Sequence, residues 1–533
     1  MFYRYLLGGA LLTGIAGCAH HTTFFQPDAR VRPTTAAPLP PGTDSVLATA
    51  GRHYRRSGFY TLFFGKHYRD VWATPVWVLV FDPATEMGGL KFEKRGGGFQ
   101  TVSATLESST GREYALRTLD KDPYKTLPKV LRHTFVLTLV RDATSAANPY
   151  AALTVPPLAQ AAGIPHTHPR IFYVPPSETN LGTATDDMQG KLVMLEEKFD
   201  GAENLTPAFG NAVDLVDTDD VLAGRYASPT HQIDQLAFAR ARLLDILIGD
   251  WDRHEGQWQW AEYQQNDHTI YRPVPKDRDQ VYFRFDDGLI PWLMSRKWAV
   301  RKFRTFRPRY EDVSGTVHNA HFLDTRALPE ITAAQFQQLA TDLQRRLTDS
   351  VIAVAVHQLP PPIYELEGEY IARALRERRA ALPEAARQFY HVLAEHVEVV
   401  GTDEPDRFVT ERFSDSTTRV SVYRLPRKKQ QVVDPKPYYQ RTFRNQDTKT
   451  ITYFGLRGED EFVVRGNVRT GIRLNIHGGP NEDTVVDSSQ VAGGKRRMFY
   501  YDTKTGNNLT PGPSTVDRRR RGVASHAYDR EGY

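Results

Sequence analysis

The run GDWDRHEGQW at 249–258 is followed about twenty positions later by KDRDQ at 276–280, and this pair of segments limits the fold more than any other feature of the chain. Asp252 and Gln257 stand five residues apart, an acid and then a neutral amide carbonyl able to hold a cation without adding charge. Trp258 and Trp260 alternate with Gln257 and Gln259, so the next residues read as a strand with one side in a core. A turn after that strand returns Asp277 and Asp279 to the cation that Gln257 faces. The fold must therefore hold two separated acidic segments side by side.

The first eighteen residues are an address. Arg4 is the only charge before an apolar run from Tyr5 to Ala16, too short to span a bilayer and suited to an export leader. The run closes on Ile15, Ala16, Gly17 and Cys18, which resembles a bacterial lipobox. That resemblance implies cleavage before Cys18 and lipidation of its thiol. It implies an exported outer-membrane lipoprotein of a Gram-negative bacterium, facing the periplasm or the exterior and touching the membrane through its lipid anchor. The competing reading is an ordinary signal peptide that carries a cysteine. Cys18 is the only cysteine, so no disulfide framework exists and the mature fold stands on its core.

Residues 18–54 include PTTAAPLPPG at 33–42 and read as a tether with too little apolar surface to order itself. The net charge of +5 is spread along the chain, which argues against a nucleic-acid partner. The one dense basic run, Arg518–Arg521, falls in a tail at 506–533 that reads as disordered.

From about residue 70 to 200 strands dominate. VWVLVFD at 76–82 is a nearly continuous apolar run, as expected of a strand covered on both faces. Gly96, Gly97 and Gly98 follow, then FQTVSATLES at 99–108, a turn at 109–111 and REYALRTLD at 112–120. A glycine turn between strands lets backbone N–H groups approach phosphate oxygens closely. Arg117 lies in the last of these strands. Lys121, four residues later between Asp120 and Asp122, is the competing candidate for the cation of this strand set, with a solvated loop charge as the favoured reading. Two helical stretches are expected in 129–163, the second interrupted by Pro156 and Pro157, and neither offers a glutamate to orient Arg117. KLVMLEEKFD at 191–200 reads as a strand running into Glu196 and Glu197.

Ile233, Leu236, Phe238, Ala241, Leu243, Leu244, Ile246 and Leu247 form the broad apolar face of a helix ending near Gly249, which would deliver the next loop rigidly. In that loop Asp252 and His254 are the candidate catalytic residues: Asp252 as base or orienting group for an attacking hydroxyl, His254 as a hydrogen-bonding partner of the turn or of the Asp279 region. Arg253 is suited to tie the loop to a nearby carboxylate. The order of glycine turn, cation, apolar helix, DRH and DRD points to phosphoryl transfer.

GDWDRHEGQWQW followed by PVPKDRDQVYFRF is similar to the loop and metal segments of the atypical kinases: the CotH-type, secretory-pathway and phosphoinositide lipid kinases. It looks closest to an exported Bacteroidetes family of CotH-like lipoproteins over residues 55–300. The resemblance implies an α+β, bilobal protein-kinase-like fold, with a β-rich small lobe at 55–200 and a helical large lobe at 201–400. It implies ATP with Mg or Mn and transfer of the γ-phosphoryl group to an unknown protein or small-molecule acceptor. Gly96–Gly98 would cover the phosphates, Arg117 would stand where a kinase has its phosphate-pairing lysine, and Glu197, with Glu196 as alternative, would meet the ribose. Asp252 takes the catalytic-acid position, Gln257 the first metal position, and Asp279, with Asp277 as alternative, the second. Gln257 replaces the usual asparagine and Arg117 the lysine, so a non-catalytic nucleotide-binding module tethered to the membrane is the second expectation.

FRFDDGLI at 283–290 offers a rival metal turn at Asp286 and Asp287, ranked below Asp279 because DRDQ leads into an apolar strand at Val281–Phe285. Thr332 with Gln335 makes a capping box for a helix to about Val356, and Pro383 opens another helix to about Val397. After 405 the pattern changes to period two, which gives a small all-β domain over 405–505. HGGPNEDTVVD at 477–487 and GLRGEDEFVV at 455–464 echo the turn of calcium-binding β-rolls. The expected form is a solenoid-like turn without metal, with Ca²⁺ as the alternative.

Overall fold

The computed structural model describes residues 24–31, 39–40, 42–97, 100–426, 435–493, 497–521 and 528–531. The leader, Cys18 and Gly98 lie outside the described residues. The chain is α+β, with a sheet-rich small lobe, a helical large lobe and further sheets at the C-terminus.

The small lobe is built on a seven-stranded sheet of β1 (Ser45–Ala48), β2 (Val76–Val80), β3 (Leu90–Gly96), β4 (Ser103–Ser108), β5 (Glu113–Thr118), β6 (Arg170–Tyr173) and β7 (Leu192–Glu197), in the order β1-β2-β6-β7-β5-β4-β3. β7 sits mid-sheet and is apolar on both faces. Leu192 and Met194 join the main core, while Val193 and Leu195 join a second core with Leu106, Leu116 and Phe172. β2 departs from expectation: Val76 and Val78 are buried, but Trp77 is 71% and Leu79 48% exposed. One face of β2 is bare. The strand entering the glycine turn is also not β2 but β3, which the sequence reading passed over.

The residues read as a tether belong in part to this lobe. β1 pairs antiparallel with β2, Ala29, Val46, Ala48, Ala50 and Tyr54 lie in the main core, and Phe24 packs on His53 and Tyr54. The Pro/Thr-rich composition at 33–42 hid the apolar residues on either side of it.

The short helices of the small lobe include α1 (Gly58–Phe64), α2 (Phe135–Asp142) and α3 (Val155–Ala162). Pro156 and Pro157 start α3 rather than break it, since the first turn has no intrahelical acceptor for their missing N–H groups. The large lobe centres on α4 (Gln235–Ile248), in which every residue from Ala241 to Ile248 is buried and Gly249 closes the helix at φ +69°. β8 (Asp214–Val216), β9 (His231–Ile233), β10 (Trp258–Gln265) and β11 (His268–Pro275) form a sheet in the order β8-β10-β11-β9. β10 is buried on both faces at its start, with Trp258, Gln259, Trp260 and Ala261 all inside. Val281–Phe285 forms no strand; it is an irregular apolar segment leading to α5 (Leu289–Met294). The capping box of Thr332 and Gln335 opens α6 (Ala333–Arg346), which ends ten residues short of Val356, a new helix starting at Asp349. Pro383 stands in the first turn of α7 (Leu382–Ala394), which packs against α6 and α4.

The C-terminal part is a two-sheet, mainly parallel solenoid. One sheet runs His396–Val400, Thr450–Phe454, Arg473–His477, Met498–Tyr501 and Thr515–Asp517. The other runs Tyr439–Arg444, Thr417–Arg424, Asp406–Arg412, Glu461–Arg465, Thr484–Asp487 and Asn508–Thr510. Two of these strands, with Tyr528 packed on Phe454 and Arg530 paired to Asp403, lie in the segment read as a disordered tail. Asp460 and Asp483, the acids of the two roll-like turns, face inward as a ladder. Asp460 accepts the N–H of Asp406 at 2.8 Å, and Asp483 that of Asp460 at 2.9 Å. Among the described residues no group of three or more His, Cys, Asp and Glu is placed to hold a metal.

Candidate functional site

Both acidic segments are tied to α4 from beneath. Asp245 is fully buried on that helix and meets Arg242 at 2.7 Å, Arg253 of the DRH loop at 3.4 Å, and Arg278 of the DRD turn. Arg242 is held in turn by buried Asp324 at 2.7 Å. Arg253 also donates to Lys276 O at 2.8 Å and Gln257 O at 3.0 Å, and Lys276 N–H reaches Gln257 O at 3.1 Å. The central arginine of each motif therefore points into the core, and each flanking acid is left facing out of it. Buried charges are tolerable only when paired in this way.

Asp252 accepts a 2.6 Å hydrogen bond from Asn319 Nδ2, in the short turn His318–Ala320. Asn319 Oδ1 takes the Lys302 ammonium at 3.2 Å, and that ammonium lies over the Trp251 ring at 5.0 Å. His254 does not reach Asp279. Its ring accepts the Gly256 N–H at 3.1 Å and meets Gln257 Nε2 at 3.2 Å, so it shapes the loop and orients the amide. Gln257 Oε1 is buried without a hydrogen-bond partner. A buried carbonyl left bare costs about 1–3 kcal/mol unless a ligand meets it.

Against the two acidic segments stand the cations of the small lobe. Arg117 Nη1 lies 3.3 Å from Asp277 and 3.3 Å from Glu196 on the neighbouring strand β7. Burial would raise the Asp277 carboxyl, but Arg117, with Lys121 and Arg253 beyond it and a hydrogen bond from Gln257, holds it at about 2. Asp277 also has φ +57°, a left-handed conformation that a non-glycine residue adopts at a cost of about 1–3 kcal/mol. Lys121 is no solvated charge: it is largely buried and ion-paired to Asp279, whose other oxygen accepts from Gln280 at 2.9 Å. Burial lowers the Lys121 ammonium, but the carboxylates of Asp279, Asp277 and Asp252 together raise it. Lys121 thus pairs with Asp279 and feels the charges of Asp277 and Asp252.

The glycine turn lies on the same cross-sheet row. Gly96 pairs with Ser103, Ser103 with Arg117, and Arg117 with Met194. Gly97 has φ +89°, and a Cβ there would meet Thr101 O at 2.1 Å, so only glycine closes this turn. Past Arg117 the chain runs beneath the turn, with Asp122 N–H on Gln100 O at 2.9 Å.

Glu197 is engaged by His168, through its N–H at 2.7 Å and its ring at 3.0 Å. Glu196, not a residue of 129–163, is the acid that orients Arg117. It accepts from Thr167 Oγ1 at 2.9 Å, and burial, opposed by Arg117, pushes it up to about 7. The rival acids turn elsewhere: Asp286 to Arg307 at 2.8 Å and Thr305, Asp287 to His67 at 2.6 Å. Asn319, Glu196, Lys121 and Asp245 are the site residues the sequence reading missed or misplaced. An acid and an arginine three apart in a helix segment otherwise apolar from Ala241 to Ile248 marked Asp245; nothing in the sequence marked Asn319.

The residues present suit a divalent cation with a phosphate ligand. Asp277 and the bare Gln257 carbonyl supply two oxygens, and Mg²⁺ commonly takes one or two protein ligands and completes its shell with phosphate and water.

No family model matches the sequence, and neither does any curated protein. Among solved structures the chain is similar to the Helicobacter pylori proinflammatory kinase CtkA, at 14% identity over 56% of this chain and 95% of that one, TM-score 0.30. It is similar to the Golgi casein kinase with Mn and ADP bound, at 10% identity over 56% and 72%, TM-score 0.30. It is also similar to HipA of Shewanella oneidensis MR-1, in a complex with HipB and operator DNA, at 13% identity over 58% and 77%, TM-score 0.27.

Proposed function

We propose that this chain is an ATP-dependent phosphotransferase with a kinase-like site, exported and held at the outer membrane through Cys18 in the manner of CotH-like lipoproteins. One observation carries the catalytic part: Asp279 pairs with Lys121 and Asp277 with Arg117, in the field of Asp252 and beside a bare Gln257 carbonyl. Asp277 is the metal-facing acid of the DRD turn in this reading, because it has the left-handed backbone and the low carboxyl. Asp279 serves Lys121 instead.

Mg²⁺ or Mn²⁺ held by Asp277 and Gln257 would neutralise phosphate charge. Arg117 and Lys121 hold the phosphate oxygens, and the N–H groups of the glycine turn close over them. Asp252, fixed by Asn319, orients an acceptor hydroxyl and takes its proton as the new O–P bond forms and ADP departs. His254 keeps the Gln257 amide in register.

A second reading rests on a specific observation. Arg117 and Lys121 are already paired with acids of the site, as would suit a module that binds nucleotide without turnover. Melting the protein with ATP and Mg²⁺ or Mn²⁺, and following γ-labelled phosphate in the same samples, separates the two. A thermal shift with label transferred supports the phosphotransferase, a shift without transfer supports the module, and no shift removes both.

A further inference from the structure

Sixteen large apolar side chains are exposed among the described residues, and seven of them fall in two short stretches. Phe59 and Leu62 lie on α1; Leu289, Trp292, Leu293, Met294 and, just beyond, Trp298 lie on or after α5. The stretches lie on adjacent helices. α1 packs along α5, and a Cβ added to Gly288 would meet Gly65 N at 2.2 Å. Asp287 clamps them, accepting the His67 N–H at 2.6 Å and pairing with its ring at 2.6 Å. A cluster of this kind, rather than scattered apolar residues, marks a binding surface.

Its charge says what it binds. From Leu289 to Tyr310 the chain carries seven basic residues and no acid. Neighbouring acids are paired: Asp286 and Glu311 with Arg307, Asp312 with Arg301 and Arg304, Asp287 with His67, and Asp70 with Lys66. Lys302 is held by Asn319, so the cations of the run left without a close acid among the described residues are Lys297, Arg309 and Arg296, the last 3.9 Å from Asp286. Lys297 beside Trp298 and Arg55 before α1 remain exposed, and Arg296 lies over the Trp292 ring at 4.5 Å. Tryptophan and phenylalanine flanked by lysine and arginine is the composition that settles at a bilayer interface, rings at headgroup depth and cations on phosphate. Among the described residues no helix is long and apolar enough to cross a membrane, so the contact is peripheral.

We infer that the α1–α5 face rests on an anionic bilayer surface, with Phe59, Trp292 and Trp298 in the interface and Lys297 and Arg55 on its phosphates. The inference is independent of nucleotide chemistry and of lipidation at Cys18.

The test uses the full chain mixed with phosphatidylcholine vesicles, with or without phosphatidylglycerol, read by hydrogen exchange. Because the apolar run at 5–16 can itself insert, the readout is local protection and the difference between variant and parent. Vesicles with phosphatidylglycerol should protect 58–64 and 289–298, and neutral vesicles should not. The double variant Phe59→Ser/Trp298→Ser changes side chains 76% and 77% exposed, so it should melt like the parent. It should lose about tenfold in partitioning. Lys297→Glu should weaken binding to the charged vesicles alone. Protection that forms between protein copies without lipid, equal protection by neutral vesicles, or unchanged partitioning of the double variant would overturn the inference.

Discussion

Arg117 Nη1 lies 3.3 Å from Asp277, joining the third strand of the glycine-turn set to the DRD turn 160 residues further along the chain. The same guanidinium nitrogen holds Glu196, so one residue links the small-lobe sheet to the acidic loop of the large lobe. Replacing Arg117 with Met should weaken ATP binding about 10- to 100-fold, the worth of a charged hydrogen bond to phosphate. Lys should restore part of it, keeping the charge but lacking the planar guanidinium that can grip two phosphate oxygens. Calorimetric titration with ATP and Mg²⁺ checks both.

Asp245 is the counter-charge of three buried arginines, and burial already lowers the Arg253 guanidinium despite it. Asp245→Ala should destabilise the protein by about 3–5 kcal/mol, since it strands buried cations. Denaturant unfolding gives the value. A loss below about 1 kcal/mol would mean that the arginines find other partners.

Asn319 touches Asp252 and nothing else proposed to bind substrate. Asn319→Ala should lower kcat about tenfold and leave KM for ATP near its original value, because it frees the orientation of the base without removing a phosphate ligand. Steady-state kinetics at varied ATP separates this from general disruption, which would move both constants.

Much of this arrangement was legible because local chemistry and tertiary structure agree. The apolar face from Phe238 to Leu247 and Gly249 gave α4 and its end, although Ile233, read into that helix, belongs to β9 and Leu236 is exposed; the Thr332/Gln335 box gave the start of α6, and period two gave the solenoid strands. The two acidic segments do meet, as their spacing suggested. What failed were inferences that needed partners far along the chain. Lys121 read as solvated because its acid, Asp279, is 158 residues away, and Glu196 had no visible cation until β7 was laid beside β5. Val281–Phe285 has strand composition, but no neighbouring strand takes its backbone groups. β1 and the last solenoid strands were lost because a Pro-rich or basic neighbourhood outweighed a few apolar residues.

The aspartate ladder of the solenoid sets a pH dependence. Burial pushes Asp406 up to about 7 and Asp483 to about 8, with Asp460 also raised. In the unfolded chain these acids ionise near their ordinary value, so between about pH 4 and pH 8 the folded solenoid binds more protons and its stability falls as pH rises. Hydrogen exchange of Thr450–Phe454, Glu461–Arg465 and Thr484–Asp487, corrected for intrinsic rates, should show opening grow easier across that range. Asn507 already fills the next rung, accepting the Asp483 N–H at 2.6 Å. Asp483→Asn should therefore flatten the dependence and stabilise the domain at about pH 8.

The most direct test of the phosphotransferase account measures ATP binding and γ-phosphate transfer together, in the parent chain and in Asp252→Asn and Asp277→Asn. Asp252→Asn should bind ATP with Mg²⁺ as the parent does and lose transfer by about 10²–10⁴-fold, while Asp277→Asn should lose both. Transfer by Asp252→Asn at the parent rate, or metal-dependent ATP binding unchanged in Asp277→Asn, would contradict the account.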